Sequence, residues 1–454
     1  MINKKRIKNI ILKLRDRDLS ELLKGSSTII LFRLFGFAIS YLLVFMITKN
    51  LGAEAMGTYS IVTTVLLIGS IIGNYGFDTT LIRFIAEYIG KGHWKAAKEI
   101  YFRVLKLLVP LNIAISVILF IGAPFIAEHI FNNIGISLHI RIISLVFIPF
   151  VLHKINIQAL RAFKKVINFA FYQNVSLFLF AAIFLGVVII FFKADDTTPI
   201  WAYAVGAILT AALSQFSIHK ILKSRPKNEN AEAQAKLVPN SQLWSISGAL
   251  MLGTSMVQIT NWSDTFILGI MDSAENVGIY NVALRIANLT SLSLLAFTSM
   301  SAPKFAELYS NNDLKGLRKV TGHTTKLIFW TSVPFLVIIL LFPSFIMGLF
   351  GEEFKAGGLA LIFIAIGQFV NAISGSVGSF LKMTGKQAFF RNVMTATMIL
   401  SIGLNILLIP KYGINGVAFA TMLTTIIKNI SFVIYIKHHF NIMTLYIPFL
   451  SKSK

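Results

Sequence analysis

Apolar runs of bilayer length follow one another along the sequence with only short polar segments between them, and no other feature constrains the fold as much. A helix needs about 20 apolar residues to cross the hydrocarbon core. Read at that length, the chain is expected to cross twelve times, at 26–48, 58–79, 104–127, 138–160, 169–192, 200–222, 244–268, 278–300, 327–349, 357–380, 391–409 and 414–436. The composition, 56% hydrophobic and 13% charged, excludes a large soluble domain. The expected fold class is therefore an all-α polytopic membrane protein with twelve transmembrane helices. Pro110, Pro149 and Pro334 are expected to interrupt their spans, which membrane helices tolerate where neighbours or water satisfy the freed backbone. The first run is longer than a signal-peptide core and has no small-residue cleavage site behind it, so it is expected to be retained. The stretch 442–450 is too short to cross and is expected at the interface.

A formal charge of +23 would suit a nucleic-acid partner, but the basic residues fall in short segments between apolar runs, which excludes that partner. They also alternate. Lys49, Lys193, Lys355 and Lys411 lie on one side, together with Glu54, Asp195, Asp196, Asp272, Glu275, Glu352 and Glu353, and the other side is strongly basic. By the positive-inside rule both termini are expected in the cytoplasm, with the protein in the cytoplasmic membrane. Residues 1–25 put Ile7, Ile10, Ile11 and Leu14 mostly on one helical face amid Lys and Arg. Two readings stand for them: a helix lying on anionic lipids, or a basic tail that only sets topology. There is no cysteine, so disulfides and zinc clusters are excluded.

The halves repeat. Ala53-Glu54-Ala55-Met56-Gly57-Thr58-Tyr59 matches Ala274-Glu275-Asn276-Val277-Gly278-Ile279-Tyr280, 221 positions later. Ala86-Glu87-Tyr88 is echoed at Ala306-Glu307-Leu308-Tyr309, and Leu160 to Lys165 more weakly at Leu381 to Lys386. An even number of spans separates the copies, so the repeats are expected to be parallel, with substrate bound between them. The expected organisation is a basic amphipathic segment 1–25, a six-helix bundle 26–222, a polar linker 223–243, a second six-helix bundle 244–436 and a tail 437–454.

Cations inside spans mark the candidate site, because a charge at that depth is costly and normally faces protein or water. Arg33 lies about eight residues into the first span, roughly 12 Å at the helical rise, and Arg285 lies about as far into the eighth. Both are expected to line one polar cavity that attracts an anion, with snorkelling or a structural ion pair as the competing reading. Arginine suits phosphate, since its planar fork donates two hydrogen bonds and stays charged. Arg141 and Lys154 join the binding set, against interfacial and snorkelling alternatives. Asn288 joins it too, against an interhelical hydrogen bond, the role that also fits Gln368, Asn371 and Asn405. Asp264, with Asn261 one turn deeper, reads as a proton or sodium site, as an ion-pair partner of Arg285, or as an interfacial cap. Arg83, Arg161, Lys164 and Lys165 form a basic rim expected at the cytoplasmic entrance, and Arg83 also has Asp78 five residues away as a local partner. No G-x-x-x-x-G-K-[ST] loop is present, the histidines lack ligand spacing, and the loops are short for a membrane glycosyltransferase or polymerase.

Four stretches in order, LGAEAMGTYSIV (51–62), NYGFDTTLIRFIAEY (74–88), GIYNVALRIANL (278–289) and KYGINGVAFAT (411–421), carry a resemblance that covers nearly the whole chain. It resembles the polysaccharide-transport branch of the multidrug/oligosaccharidyl-lipid/polysaccharide exporter superfamily, the Wzx-like oligosaccharide flippases. The resemblance implies two pseudo-symmetric six-helix bundles of MATE-like architecture. It also implies flipping of a polyprenyl-(di)phosphate-linked oligosaccharide from the inner to the outer leaflet, by alternating access, for surface glycan assembly. Cavity arginines on the first and eighth spans would bind the diphosphate, and Arg33 and Arg285 fall on those spans. Other glycan-assembly proteins are implied as partners. No cofactor is expected; a proton or sodium gradient is the candidate energy source. Cation-coupled drug exporters of the superfamily, the alternative function, often carry a carboxylate in the first span, where this chain has Arg33.

Overall fold

The computed structural model describes residues 4–224, 237–446 and 448. Most of the expected linker 223–243, much of the tail 437–454, and the side chains of residues 4–27 that would form the amphipathic N-terminal face lie outside the described residues.

The described residues form sixteen α-helices and no strand. In chain order they are α1 (Lys4–Asn74), α2 (Phe77–Gly90), α3 (Trp94–Phe125), α4 (Ser137–Leu145), α5 (Phe147–Ala162), α6 (Val166–Asn174), α7 (Ser176–Phe191) and α8 (Thr198–Lys223). After the linker come α9 (Asn240–Met271), α10 (Ala274–Asn288), α11 (Leu292–Ser310), α12 (Leu314–Leu341), α13 (Pro343–Gly348), α14 (Gly358–Ile373), α15 (Val377–Met383) and α16 (Gln387–Phe440). Among the described residues, seven helices are long and apolar enough to cross a membrane, or nine if each bent pair, α4 with α5 and α6 with α7, is one span. The protein is thus an all-helical, multi-pass membrane protein.

The helices differ from the expected spans in several places. The first two runs form one helix, α1, broken only at Gly52, and the last two form α16, broken at Gly413. Glycine makes this compact: Gly52 has φ 81° and Gly413 φ 50°, where a side chain would be strained, so the chain turns without a loop. Pro110 and Pro334 do not interrupt their helices, since α3 and α12 run continuously through them. Only Pro149 lies beside a break, the 45° bend at Val146 between α4 and α5. The expected eighth span divides instead at a 3-10 turn, Leu289–Ser291, directly after Arg285 and Asn288.

Beyond Asn441, in the left-handed conformation with φ 52°, residues 442–446 fold back onto the helices. Ile442 is buried with Phe305, Leu317 and Phe380, and Arg318 Nη2 donates to the Asn441 carbonyl at 2.6 Å.

The repeated glycines set the closest approach between the two parts of the chain. A Cβ on Gly57 would run into the Ala274 carbonyl, and a Cβ on Gly278 into the Ala53 carbonyl. Helix α1 packs more extensively on α10 than on any other element, and this crossing is where backbone meets backbone. At the same end Glu353 Oε1 accepts the Ala53 amide hydrogen at 2.6 Å, heading the second limb of α1. Phe45 packs edge-on against Phe350 with centroids 5.9 Å apart. Toward the other end, the hydroxyls of Thr80 and Ser247 bond at 2.7 Å, and Trp244 packs between Tyr75 and Phe77.

Candidate functional site

Between these two contacts lies a cavity of about 500 Å³, in the range of small-molecule sites. Its walls follow from helical spacing. On α1, Arg33, Phe37 and Tyr41 recur every fourth residue, with Gly36 and Ser40 beside them. On α10, Asn281, Leu284, Arg285 and Asn288 form one stripe. Helix α9 contributes Asn261, Trp262 and Thr265, and the break between α6 and α7 contributes Asn174 and Phe178.

Arg33 and Arg285 therefore face one space. Arg33 is exposed to it, with its guanidinium 5.9 Å from the Phe37 ring centre. Arg285 is half-buried, and the Tyr41 hydroxyl donates to its backbone carbonyl at 2.5 Å, tying α10 to α1. Among the described residues neither guanidinium has an ion pair or a hydrogen-bond acceptor, and no acidic residue lines the cavity. Two unpaired cations facing one cavity can receive an anion. Asn288 and Asn261 line the same cavity.

A second chamber of about 310 Å³ joins the first, sharing Gln173, Asn174, Phe178 and Tyr203 with it. Lys154 lies here rather than beside the arginines. Its ammonium donates to Ser70 Oγ at 2.8 Å and sits 4.7 Å from the Phe150 ring centre. Asp78 lines the same chamber.

The remaining candidates fall elsewhere. Arg141 is exposed, stacks over Phe120 at 5.7 Å and lines neither chamber. Arg83, Arg161, Lys164 and Lys165 are exposed, Arg83 over Phe84 at 5.5 Å and Arg161 over Phe169 at 5.5 Å. The local Arg83–Asp78 pair does not form; Asp78 Oδ1 instead accepts the Thr79 amide at 2.7 Å.

Asp264 and Asn261 are separated. Asn261 faces the cavity, whereas Asp264 is buried at 8% exposure and turned toward α16. Asn405 Nδ2 donates to its Oδ1 at 2.7 Å and Ser401 Oγ at 3.2 Å; Thr421 Oγ1 and the Tyr280 hydroxyl donate to Oδ2 at 2.8 and 3.3 Å. This corrects two of its three readings. Asp264 makes no ion pair with Arg285, and it is no interfacial cap, because four neighbours satisfy it inside the protein. Asn405 does make an interhelical bond, while Asn371 bonds only Gln368 on its own helix.

The sequence reading passed over Lys428. It lies inside the span expected at 414–436, half-buried, two helical turns from Thr421 on the same face, and Asp264 is the charge acting on it. That seven-residue spacing was the available signal. It also did not single out Asn74, Gln158 or Gln258, which line the second chamber.

The chain is thus a multi-pass helical membrane protein with a half-open cavity among its helices. The polysaccharide biosynthesis protein family matches residues 22–309, well over half of the chain, and the chain belongs to that family. The MatE family model also matches residues 249–407. The chain is similar to a probable low-salt glycan biosynthesis flippase, Agl15, of Haloferax volcanii, at 23% identity over 90% of this chain and 82% of that protein. Among solved structures it is similar to an inward-facing multidrug resistance MATE family transporter, at TM-score 0.73 and 14% identity, covering 91% of this chain and 98% of that one. It is also similar to the lipid II flippase MurJ in an inward closed conformation, at TM-score 0.72 and 15% identity, covering 91% of this chain and 87% of that one. At these identities the two structures bear on the fold alone.

Proposed function

We propose that the protein is a flippase. It carries a polyprenyl-(di)phosphate-linked oligosaccharide from the inner to the outer leaflet of the cytoplasmic membrane, for surface glycan assembly, by alternating access. One observation carries the reading: Arg33 and Arg285, from opposite halves of the chain, line a single cavity in which neither has an anionic partner. Unpaired cations are costly to hold among membrane spans. A diphosphate entering between them offsets that cost and loses its own penalty for leaving water. A cavity lined by arginines and no carboxylate does not suit a cationic drug, which weighs against a multidrug exporter.

The geometry supplies a path for the lipid. A smaller groove of about 110 Å³, lined by Ile29, Ile30, Leu34, Leu292 and Leu295, leads to Arg33 between α1 and α11. Leu34 and Leu295 are 44% and 38% exposed, so part of the polyprenyl chain can lie there while the phosphates sit at the arginines. Twelve spans in two six-helix bundles, 26–222 and 244–436, fit the helices if α1 and α16 each count twice at their glycine breaks and α9 is a span. The reciprocal Gly57–Gly278 contact then lies on the pseudo-twofold axis between them. We assign the Gly52 and Glu353 end to the outside and both termini to the cytoplasm, from the charge asymmetry. Arg83, Arg161, Lys164 and Lys165 then ring the cytoplasmic side. Asp264 is the candidate for proton or sodium coupling, acting from within the second bundle and not from the cavity.

The test is in cells that depend on the protein for surface glycan. Arg33→Ala and Arg285→Ala should each lower glycan assembly severely at normal protein levels, with no change in drug sensitivity. Intact glycan in both variants would refute the charge-pairing mechanism, and a drug phenotype alone would favour the exporter.

A further inference from the structure

We infer that the second chamber, beside the arginine cavity, holds the sugars of the head group and supplies the glycan specificity of the transporter. This rests on the flippase reading above and adds to it where the sugars bind.

The chamber is built by helix breaks, which is why its polar groups converge. Helix α1 ends at Asn74 and α2 begins at Phe77, and between them Tyr75 and Gly76 take φ 45° and 74°. The break leaves Asn74 and Asp78 on one wall. Opposite, α5 supplies His153, Lys154 and Gln158.

Three side chains that line this chamber each carry a buried polar atom with no hydrogen-bond partner: Asn74 Oδ1, His153 Nδ1 and Gln158 Oε1. Asn74 and His153 are 7% and 6% exposed, so bulk water does not serve them. Buried polar groups are ordinarily satisfied, and three unsatisfied side chains around one space suit a ligand that supplies the partners when they turn toward it. Asp78 adds a carboxylate whose Oδ2 is uncommitted among the described residues, since Thr79 occupies only Oδ1. The amides of Asn74, Gln158, Gln173 and Gln258 both donate and accept, Asp78 accepts and Lys154 donates. Such a mixed lining suits hydroxyls, which also donate and accept, better than phosphate, which only accepts. Phe178 gives an apolar wall against which the C–H face of a pyranose packs. The two chambers thus divide one ligand: the arginines take the diphosphate, and the chamber of mixed donors and acceptors takes the sugars attached to it. The shared residues Gln173, Asn174, Phe178 and Tyr203 lie at the junction, where the sugar–phosphate linkage would sit.

The test compares binding of two lipids to the full chain in nanodiscs by native mass spectrometry. One is the polyprenyl diphosphate oligosaccharide extracted from cells that make the protein, and the other is the matching sugar-free polyprenyl diphosphate. The wild type should prefer the sugar-bearing lipid. Gln158→Leu should shrink that preference by roughly tenfold, the worth of a hydrogen bond to a buried partner. Asp78→Asn, at a half-buried site, gives the same reading if the first variant misfolds. Arg285→Ala should weaken both lipids together and keep the preference. A wild-type preference that survives in both chamber variants, with Arg285→Ala still weakening both lipids, overturns the sugar chamber and leaves the flippase reading intact. Equal wild-type affinity for both lipids also overturns it. Unaltered binding of both lipids by Arg285→Ala overturns the reading beneath it.

Discussion

Replacing Glu353 should open the end of the protein that bears it. Its Oε1 accepts the amide hydrogen of Ala53 at 2.6 Å, across the two parts of the chain that, on the proposed alternating access, separate at this end. Ala53 follows Gly52, which lies outside helical geometry, so it heads the second limb of α1, where amide hydrogens lack intrahelical acceptors. A side-chain cap of this kind is worth about 0.5–2 kcal/mol, and a carboxylate adds a favourable term with the helix dipole. Glu353 is exposed, so solvent screening keeps the total near the low end, about 1 kcal/mol. The contact exists only when this end is closed. Glu353→Ala should therefore lower the closed-to-open ratio by roughly fivefold, and Glu353→Gln, which keeps an acceptor without charge, by less. The chain has no cysteine, so a pair of spin labels at Lys193→Cys and Lys411→Cys reports the separation of this end without background. Distance distributions in nanodiscs should gain a longer component in Glu353→Ala. Identical distributions in wild type and Glu353→Ala would refute the latch.

Gly278→Ala places a methyl group against the Ala53 carbonyl at the tightest crossing in the protein, and should cost about 1–3 kcal/mol. Gly322→Ala, where a Cβ meets nothing within 4 Å, should leave the melting temperature unchanged or higher, and equal behaviour of the two would contradict the crossing. In the loop after α7, hydrogen bonds from the Thr198 side chain, then the Thr197 side chain and both amides, hold the Asp195 carboxyl below the usual range. A carboxyl depressed in the folded state stabilises above its unfolded value, and that stability is lost as pH falls through the folded value. Asp195→Ala should therefore melt lower than wild type at neutral pH and alike in strong acid; a pH-independent difference would exclude this cause.

The sequence carried the site better than the fold's joints. Arg33 and Arg285 were legible because an intramembrane arginine needs a reason, and regular helix spacing then put Arg33, Phe37 and Tyr41 on one wall. The Ala-Glu-x-x-Gly-x-Tyr repeat was legible as a repeat, but only the backbone shows that its two glycines touch. Asp264 and Asn261 misled because three residues turn a helix by about 300°. That leaves the two side chains near neighbours on the surface, yet the edge of the cavity falls between them. The second chamber was hidden for a different reason. Asn74, Asp78 and Gln158 converge only through breaks at Tyr75–Gly76 and Val146, which hydrophobic periodicity does not register. Lys428 lies inside the expected span 414–436 and carried the same signal as the intramembrane arginines.

The central claim is that Arg33 and Arg285 receive a diphosphate that the protein carries across the membrane. Leaflet-resolved flipping of the native lipid-diphosphate oligosaccharide in proteoliposomes tests it most directly, with wild type compared with Arg285→Ala. Protein-dependent flipping by the wild type that falls at least tenfold in the variant is the expected result, the loss of about 1.4 kcal/mol or more in charge-assisted hydrogen bonding. Flipping by Arg285→Ala at the wild-type rate, or no flipping by folded wild-type protein, would contradict the account.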